Sequence, residues 1–404
     1  MFKQKTSGSA KKNCSYCGAN QISHRTNWLQ QNMEILTSPG RRMFIYNPLA
    51  IALQNTISNA IDSVIRIAAR AGFFEYNTDP DKILTSRGQE LFKEAQARGI
   101  KIRELRPRGK AVDLYEAFIG KSSYIFKGLP RPKNYINPAL EWSDDKSILK
   151  IKLHAAGLPV ADGGSAFTWK DALRIFNRIK KPVIVKPRLG SRGRHTTTFI
   201  YTEQQLAQAY KIAKQLCSWM VIEEHLTGAV YRGTVIDGKC IGVLGGDPPY
   251  VLGDGVNTIE QLILEKNKNN KLDVKDIVID EKMKWFLSRS NYDLQTVLPA
   301  NTKIDLTEKI GVSYGGSSFE VTTETHPDTI KMFEDAAAVI KDPLLGFDFI
   351  APDISVSWKE QPCGIIECNA VPFINLHHDP LRGEPINAAK YVWDMIERSE
   401  QTKI

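Results

Sequence analysis

Hydrophobic residues recur at helical spacing in several stretches of this 404-residue chain. Over residues 49–71 the pattern predicts a long amphipathic helix that ends at Gly72. Patterns of the same period predict helices at about residues 86–98, 144–157, 203–217, 257–268, 280–289, 327–341 and 385–398. Short apolar runs bounded by turn residues predict strands at 101–105, 183–187, 196–201, 219–224, 230–236, 240–245, 346–351 and 364–369. This alternation of helices and strands predicts a mixed α/β (α+β) fold.

The chain is long enough for two or three compact units, and its segments differ in character. Residues 1–40 are polar and predict a flexible basic arm. Residues 41–140 alternate helix and strand and predict a small α/β N-terminal domain. The remaining elements predict a larger unit at residues 141–398, in which Asp237-Gly238 favours a type I′ turn between two antiparallel strands.

The formal net charge is +9, and it is concentrated in two clusters. Residues 1–42 hold seven basic residues against one acid, and residues 173–194 hold eight basic residues and no acid. Such clusters indicate anionic partners, among them phosphate groups and nucleic acid. No apolar run approaches the ~20 residues of a membrane-spanning helix, and the N-terminus lacks the apolar core of a secretory signal. Six scattered cysteines are typical of a reducing compartment, so we expect a cytoplasmic protein.

One Cys-x-x-Cys pair, Cys14 and Cys17, lies in the predicted arm and is followed by His24. Such a pair is half of a typical zinc site, and no second pair follows at the spacing of a zinc finger. We therefore interpret the two cysteines as free thiols in a flexible tail, with zinc binding as the alternative.

The strongest chemical signal is a lysine on an apolar strand, followed by a loop rich in glycine and arginine. Lys186 lies in the predicted strand at 183–187, where a buried ammonium group is costly unless an anion pairs with it. The loop at 188–195 contains Gly190 and Gly193, whose backbone N–H groups can approach an anion closely. Together they predict a phosphate-binding flap, although the P-loop pattern is missing. A surface hairpin with a solvated basic face is the alternative.

Acidic side chains on other predicted strands indicate a nucleotide and a metal. Glu223 and Glu224 end one strand, where carboxylates can bind the amino group of adenine and the hydroxyls of a ribose. Asp348 and Glu367 can lie side by side in two antiparallel strands, and Asn369 shares a face with Glu367. Two carboxylates and an amide oxygen suit Mg²⁺, a hard cation. Exposed strand acids are the alternative for this group.

The succession of these motifs resembles the ATP-grasp carboxylate–amine ligases. Within that family, residues 140–398 look most like the ATP-grasp domain of cyanophycin synthetase and of the bifunctional glutathione synthetases. The resemblance rests on Asp145-Lys146, Val185-Lys186-Pro187, Gly190-Ser191-Arg192-Gly193, Ile222-Glu223-Glu224-His225-Leu226, Tyr231-Arg232, Tyr314-Gly315-Gly316, Gly346-Phe347-Asp348 and Glu367-Cys368-Asn369. It implies an ATP-grasp fold of two α/β subdomains that grip ATP. The small lid subdomain would occupy about 158–226, and the metal and substrate subdomain 227–398.

The resemblance also implies roles for individual residues. Those expected to bind the nucleotide are Lys146, Lys186, Gly190, Ser191, Arg192, Gly193, Glu223, Glu224 and Leu226. The expected metal ligands are Asp348, Glu367 and Asn369, with Asp353 as a competitor for the place of Asp348. The residues expected to act on the reacting groups are Lys186, Arg232 and Gly316, with Gly315 and His377 nearby. His195 stands at the end of the flap, where relatives commonly have a small residue.

By this resemblance the protein is an enzyme, an ATP-dependent, ADP-forming ligase. It would join the carboxylate of an amino acid or peptide to an amine, forming an amide bond through an acyl phosphate. Its cofactors would be ATP and Mg²⁺, with Mn²⁺ as an alternative metal. Its partners would be small-molecule or peptide carboxylates and amines. The protein could form a homo-oligomer such as a dimer. Neither nucleic acid nor a membrane is expected as a partner. The alternatives are a small-molecule kinase and a non-catalytic ATP-binding protein whose basic arm binds nucleic acid.

Overall fold

The computed structural model describes residues 14–17, 21–45, 48–120, 122–133, 135, 142–190, 193–270, 274–307 and 310–401. The helices in these ranges are α1 (His24–Ile45), α2 (Pro48–Arg70), α3 (Ser86–Ala97), α4 (Lys146–Ala155), α5 (Trp169–Arg178), α6 (Glu203–Lys214), α7 (Ile259–Lys268), α8 (Glu281–Ser288), α9 (Pro327–Ile340), α10 (Asn375–His378) and α11 (Ala388–Gln401). None of these helices is both long enough and apolar enough to cross a membrane.

The strands in the same ranges are β1 (Phe74–Asn77), β2 (Lys101–Pro107), β3 (Leu114–Ile119), β4 (Ser122–Lys127), β5 (Gly163–Ala166), β6 (Val183–Pro187), β7 (Thr197–Ile200), β8 (Met220–Glu224), β9 (Ala229–Ile236), β10 (Lys239–Asp247), β11 (Tyr250–Leu252), β12 (Lys303–Asp305), β13 (Ser317–Glu320), β14 (Leu344–Ala351) and β15 (Gly364–Asn369). Each helix and strand that the sequence pattern predicts is present, with ends shifted by a few residues at most.

The predicted flexible arm over residues 1–40 is only partly described, and its second half belongs to α1. Ile35 is buried in one hydrophobic cluster with Leu189 and Cys217, and the side-chain oxygen of Asn32 accepts a hydrogen bond of 3.1 Å from the backbone N–H of Ser218. The prediction of a flexible arm is therefore wrong for this half, because a helix with a packed inner face is fixed to the protein. The lysines at the start of the arm lie outside the described residues.

The N-terminal unit contains a four-stranded antiparallel sheet in the order β1-β2-β3-β4. Helix α3 packs against it through Leu91 and Phe92, which are fully buried. The C-terminal helix α11 joins the same core through Trp393. The indole N–H of Trp393 donates to the backbone carbonyl of Leu91 at 2.9 Å. The core of the N-terminal unit therefore continues into the last helix of the chain.

A second antiparallel sheet, in the order β5-β8-β6-β7, carries the lysine strand β6. Helices α5 and α6 cover it, and their buried residues Phe176 and Leu206 share a core with Met220 of β8. Helix α5 is not among the predicted elements. It begins at a capping box in which Thr168 and Asp171 each bind the other's backbone N–H.

The third sheet has five antiparallel strands in the order β13-β10-β9-β14-β15. Its β9–β10 hairpin turns at Asp237 and Gly238, which have φ angles of 52° and 77°. Positive φ at both central residues is what the predicted type I′ turn requires. Helix α9 packs on this sheet through Phe333, which contacts the rings of Phe347 and Phe349. The small pair β11–β12 forms a separate two-stranded sheet.

Candidate active site

The N-terminus of α4 is tied to the end of the lysine strand through Asp145. This carboxylate caps the helix by accepting hydrogen bonds from the backbone N–H groups of Ser147 and Ile148 at 3.0 and 3.2 Å. It also pairs with the guanidinium of Arg188, directly after β6, at 2.8 Å. Lys146 occupies the first turn of the helix, so the cap fixes where its side chain begins.

Three lysines and one glutamate form a buried cluster between α4, β6 and β8. The ammonium of Lys186 lies 2.6 Å from one oxygen of Glu223, and that of Lys150 binds the other oxygen. Lys146 donates instead to the backbone carbonyl of Gly190 in the flap, at 2.5 Å. We call this group, Lys146, Lys150, Lys186 and Glu223, the lysine cluster.

The lysine cluster is buried and carries more positive than negative charge. Burial opposes the charge of Glu223, which is 1% exposed, but Lys186 and Lys150 outweigh it and lower the pKa of its carboxyl to about 2. Burial also lowers the pKa of Lys146 and of Lys150, against the attraction of nearby carboxylates. Within the cluster one carboxylate pairs directly with two of the three ammonium groups, so a further anion beside the lysines would favour their charged form.

A row of charged side chains crosses three neighbouring strands of the five-stranded sheet. Asp348 on β14 lies opposite Arg232 on β9 and opposite Glu367 on β15. Arg232 donates two hydrogen bonds to Asp348, from Nε at 2.7 Å and from Nη2 at 3.0 Å. Asn369 follows two residues after Glu367, on the same face. The register therefore brings Arg232 and all three predicted metal ligands to one face.

Glu367 is the carboxylate of this row that fits a cation best. Burial raises its pKa, and the negative charge of Asp348 adds to this, while Lys146, Lys186 and Arg232 lower it. Among the described residues none forms a hydrogen bond or an ion pair with the side chain of Glu367 or of Asn369. Helix α4, which carries Lys146, packs against β15, and the charges of Lys146 and Lys186 act on Glu367, so the row lies close to the lysine cluster.

Other residues predicted to bind the nucleotide lie at the end of β8 and in the flap. Glu224 ends β8, where its carboxylate accepts a hydrogen bond of 3.0 Å from the backbone N–H of Asp162. Leu226 follows in the connection to β9 and is half-buried. Gly190 and Gly193 both have positive φ, 107° and 55°, as a tight glycine turn requires. Ser191 and Arg192, at the middle of the flap, lie outside the described residues.

The predicted residue Gly316 lies apart from the row of Arg232, Asp348 and Glu367. Gly316 lies just before β13, which β10 separates from β9, so it is about 10 Å from the strand of Arg232. Its backbone N–H donates to the carbonyl of Gly311 at 3.1 Å. His377, expected near the substrates, is fully buried and binds Glu320 and Thr234 at 2.6 and 2.8 Å.

Sequence reasoning missed residues that the structure places in the site. Lys150 lies one helical turn after Lys146, so the spacing alone indicates that both share a face of α4. The sequence places Asp145 only within a motif, whereas in the structure it caps α4, and its pairing with Arg188 depends on the tertiary fold. Asp353 competed with Asp348 for the metal, but its exposed carboxylate binds the backbone N–H of Ser355 at 2.8 Å.

The sequence is similar to two kinds of biosynthetic protein. It is 30% identical over 329 residues to cyanophycin synthetase of Trichormus variabilis, a match that covers 80% of this chain and 36% of that protein. It is 28% identical over 336 residues to the glutathione biosynthesis bifunctional protein GshAB of Clostridium perfringens, covering 80% of this chain and 42% of that protein. The chain thus spans less than half the length of these relatives. No protein-family model matches the sequence.

The fold is also similar to a solved structure. A bifunctional glutathione synthetase from Pasteurella multocida superposes with a TM-score of 0.59 at 21% identity, covering 78% of this chain and 44% of that one. At this identity the likeness establishes the fold alone. The mixed α/β fold is therefore shared with that enzyme.

Proposed function

Because this chain belongs to the ATP-grasp ligases, related to cyanophycin synthetase and to the ATP-grasp region of the bifunctional glutathione synthetases, we propose that it forms amide bonds at the expense of ATP. In the proposed reaction the γ-phosphoryl group passes to the carboxylate of an amino acid or peptide, which gives an acyl phosphate and ADP. An amine then attacks the acyl carbon and loses a proton, and phosphate leaves as the amide forms.

The lysine cluster supports the phosphate-binding part of this proposal. Its buried ammonium groups outnumber its carboxylate, and a charge interaction is stronger where water is excluded. Lys146 already binds the carbonyl of Gly190, so α4 and the flap meet at the ammonium group. We infer that Lys146 and Lys186 bind the phosphates of ATP and that the flap covers them, which would protect an acyl phosphate from water.

The charged row supports the metal-binding part. We infer that Asp348, Glu367 and Asn369 hold Mg²⁺, or Mn²⁺ in its place, because each offers a side-chain oxygen and two of the three form no hydrogen bond or ion pair among the described residues. Such an ion would screen the charge of phosphate oxygens. Arg232 donates hydrogen bonds to both oxygens of Asp348, so its guanidinium is oriented beside the proposed metal site. It would stabilise the charge that develops on the reacting group.

One observation carries the proposal: α4, which carries Lys146, packs against β15, which carries Glu367 of the row, so the row and the lysine cluster lie close together. An ATP-dependent ligase needs phosphate-binding cations opposite metal-binding carboxylates, with a positioned guanidinium beside them. A small-molecule kinase needs the first two features as well, so the products must distinguish the two.

The test is turnover by the purified protein with ATP, Mg²⁺ and a panel of amino acids and short peptides. We expect release of ADP and phosphate that depends on both a carboxylate and an amine, with an amide product identified by mass spectrometry. Lys186→Ala should abolish turnover and weaken ATP binding, whereas Lys180→Ala, a change at an exposed neighbour, should do neither. A phosphate ester as product would favour the kinase. Absence of turnover with every substrate, together with normal ATP binding by Lys186→Ala, would refute the proposal.

A further inference from the structure

The cysteine pair of the N-terminal segment lies beside two histidines in the folded protein. Cys14 precedes a short 3₁₀ turn that ends at Cys17, and the N–H of Cys17 donates to the carbonyl of Cys14 at 3.1 Å. His24 begins α1, and His195 ends the flap loop. One ligand atom from each of these four residues lies within 4.8 Å of the other three. The interpretation as free thiols in a flexible tail does not fit this arrangement.

The distances between these atoms are those of a tetrahedral metal site. The Sγ atom of Cys17 lies 3.3 Å from Nε2 of His24 and 3.5 Å from Nε2 of His195. The Sγ atom of Cys14 also lies 3.5 Å from Nε2 of His195. Zinc bonds of about 2.3 Å to sulfur and about 2.0–2.1 Å to nitrogen, at tetrahedral angles, place sulfur and nitrogen about 3.6 Å apart. The side chains therefore surround a space of the size that one zinc ion fills.

The surroundings hold the ligands in this orientation. His195 is fully buried, and its second ring nitrogen, Nδ1, lies 2.8 Å from the carbonyl of Ile212, which leaves Nε2 directed at the cysteines. A hydrogen bond of this kind fixes the tautomer and the ring orientation of a metal-binding histidine. The backbone N–H of His195 donates to the carbonyl of Tyr16 at 3.1 Å. Gln21 binds both the N–H and the carbonyl of Cys14, each at 2.9 Å.

We propose that Cys14, Cys17, His24 and His195 bind one zinc ion. Four protein ligands and no open position make this a structural site, in which the metal stabilises the fold and takes no part in a reaction. Two sulfur and two nitrogen ligands in a tetrahedron favour zinc over the hard cations that the carboxylate row suits. The zinc ligands thus differ chemically from Asp348 and Glu367, the carboxylates proposed to bind Mg²⁺.

The zinc ion would join the N-terminal segment to the end of the flap. Cys17 and His195 are far apart in the sequence, so the ion would close a long loop and restrict the unfolded chain. The hydrophobic cluster that Ile35 shares with Leu189 and Cys217 attaches the same segment near the start of the flap. The N-terminal segment would then hold both ends of the flap. It would also position the flap over ATP, and this last consequence alone rests on the proposed function.

The direct test is the metal content of the full-length protein, purified under reducing conditions and dialysed, measured by inductively coupled plasma mass spectrometry. We expect about one zinc ion per chain, and its loss in Cys17→Ser and in His195→Asn. His24→Cys replaces one zinc ligand by another and should retain the ion. Cys363→Ser and His154→Asn are the matched controls, since both residues lie outside the cluster, and they should keep the zinc content of the wild type.

Cobalt substitution tests the same site in the wild-type chain, independently of whether the variants fold. Bound Co²⁺ should show the intense visible absorption of a tetrahedral ion and a thiolate-to-metal charge-transfer band in the near ultraviolet. Zinc should displace it. The proposal would be overturned by a wild-type chain that binds neither metal, by a cobalt spectrum without thiolate bands, or by undiminished zinc in Cys17→Ser. None of these readouts depends on ATP turnover, so a failure of the proposed function leaves them unchanged.

Discussion

Replacing Glu223 by glutamine removes the carboxylate that pairs with Lys186 and Lys150. The change keeps the size of a side chain that is 1% exposed, so the loss of charge is the main perturbation. The pKa of Glu223 is about 2 in the folded protein against an ordinary value of 4.5, which corresponds to about 3 kcal/mol of stability at neutral pH. Removing one partner of a buried ion pair costs a similar amount, about 3–5 kcal/mol.

Urea unfolding at neutral pH, followed by circular dichroism, should therefore show Glu223→Gln to be less stable than the wild type by about 3 kcal/mol. Folding lowers the pKa of Glu223, so its contribution is complete above pH 4.5 and is lost as the pH falls toward about 2. The stabilities of the two proteins should converge over that range.

The matched control is Glu281→Gln, which removes the exposed partner of Lys284, a carboxylate that is 78% exposed. Exposed pairs contribute little, so this change should alter stability by less than about 0.5 kcal/mol. The reasoning is refuted if Glu223→Gln is as stable as this control. It is also refuted if the difference from the wild type stays the same at acidic pH.

Three further changes test other parts of the structure. Lys186→Ala should weaken ATP binding by about 10- to 100-fold in isothermal titration calorimetry, and equal affinity to Lys180→Ala would contradict phosphate binding by this lysine. Arg232→Lys keeps the charge but loses one of two hydrogen bonds to its carboxylate partner, so turnover should fall by at least about tenfold while ATP affinity stays unchanged. Undiminished turnover would exclude a role for the guanidinium fork. Trp393→Phe loses a buried hydrogen bond and leaves a void, so thermal unfolding should show a loss of about 1–3 kcal/mol. Tyr391 lies on the same helix and is 39% exposed, so Tyr391→Phe should reduce stability much less than Trp393→Phe.

The elements with a strong hydrophobic period were predictable from the sequence. The long helix after residue 48 and the hairpin at Asp237-Gly238 follow from local rules of periodicity and turn conformation. Helix α1 was not predictable in this way, because its range is polar and contains Pro39-Gly40, which normally interrupts a helix. The packing of Ile35 in one cluster with Leu189 and Cys217 compensates for that local preference, and such packing cannot be deduced from the spacing of residues in the sequence.

The site shows the same division between local and tertiary information. The sequence indicates which strands carry Lys186, Asp348 and Glu367, because the apolar runs around them are recognisable. The pairing of Arg232 with Asp348 depends on the order of strands, in which β9 lies next to β14 although they are distant in the sequence. The same holds for His195, since its imidazole lies beside Cys17 although the two residues are 178 positions apart in the sequence.

The central claim is that this chain activates a carboxylate as an acyl phosphate before an amine attacks it. A substrate from the reactive panel, labelled with oxygen-18 in its carboxylate, tests this directly, since the attacking oxygen must leave with the phosphate. We predict that the released phosphate carries one labelled oxygen for each amide formed, as measured by mass spectrometry. Amide formation with unlabelled phosphate would contradict the account.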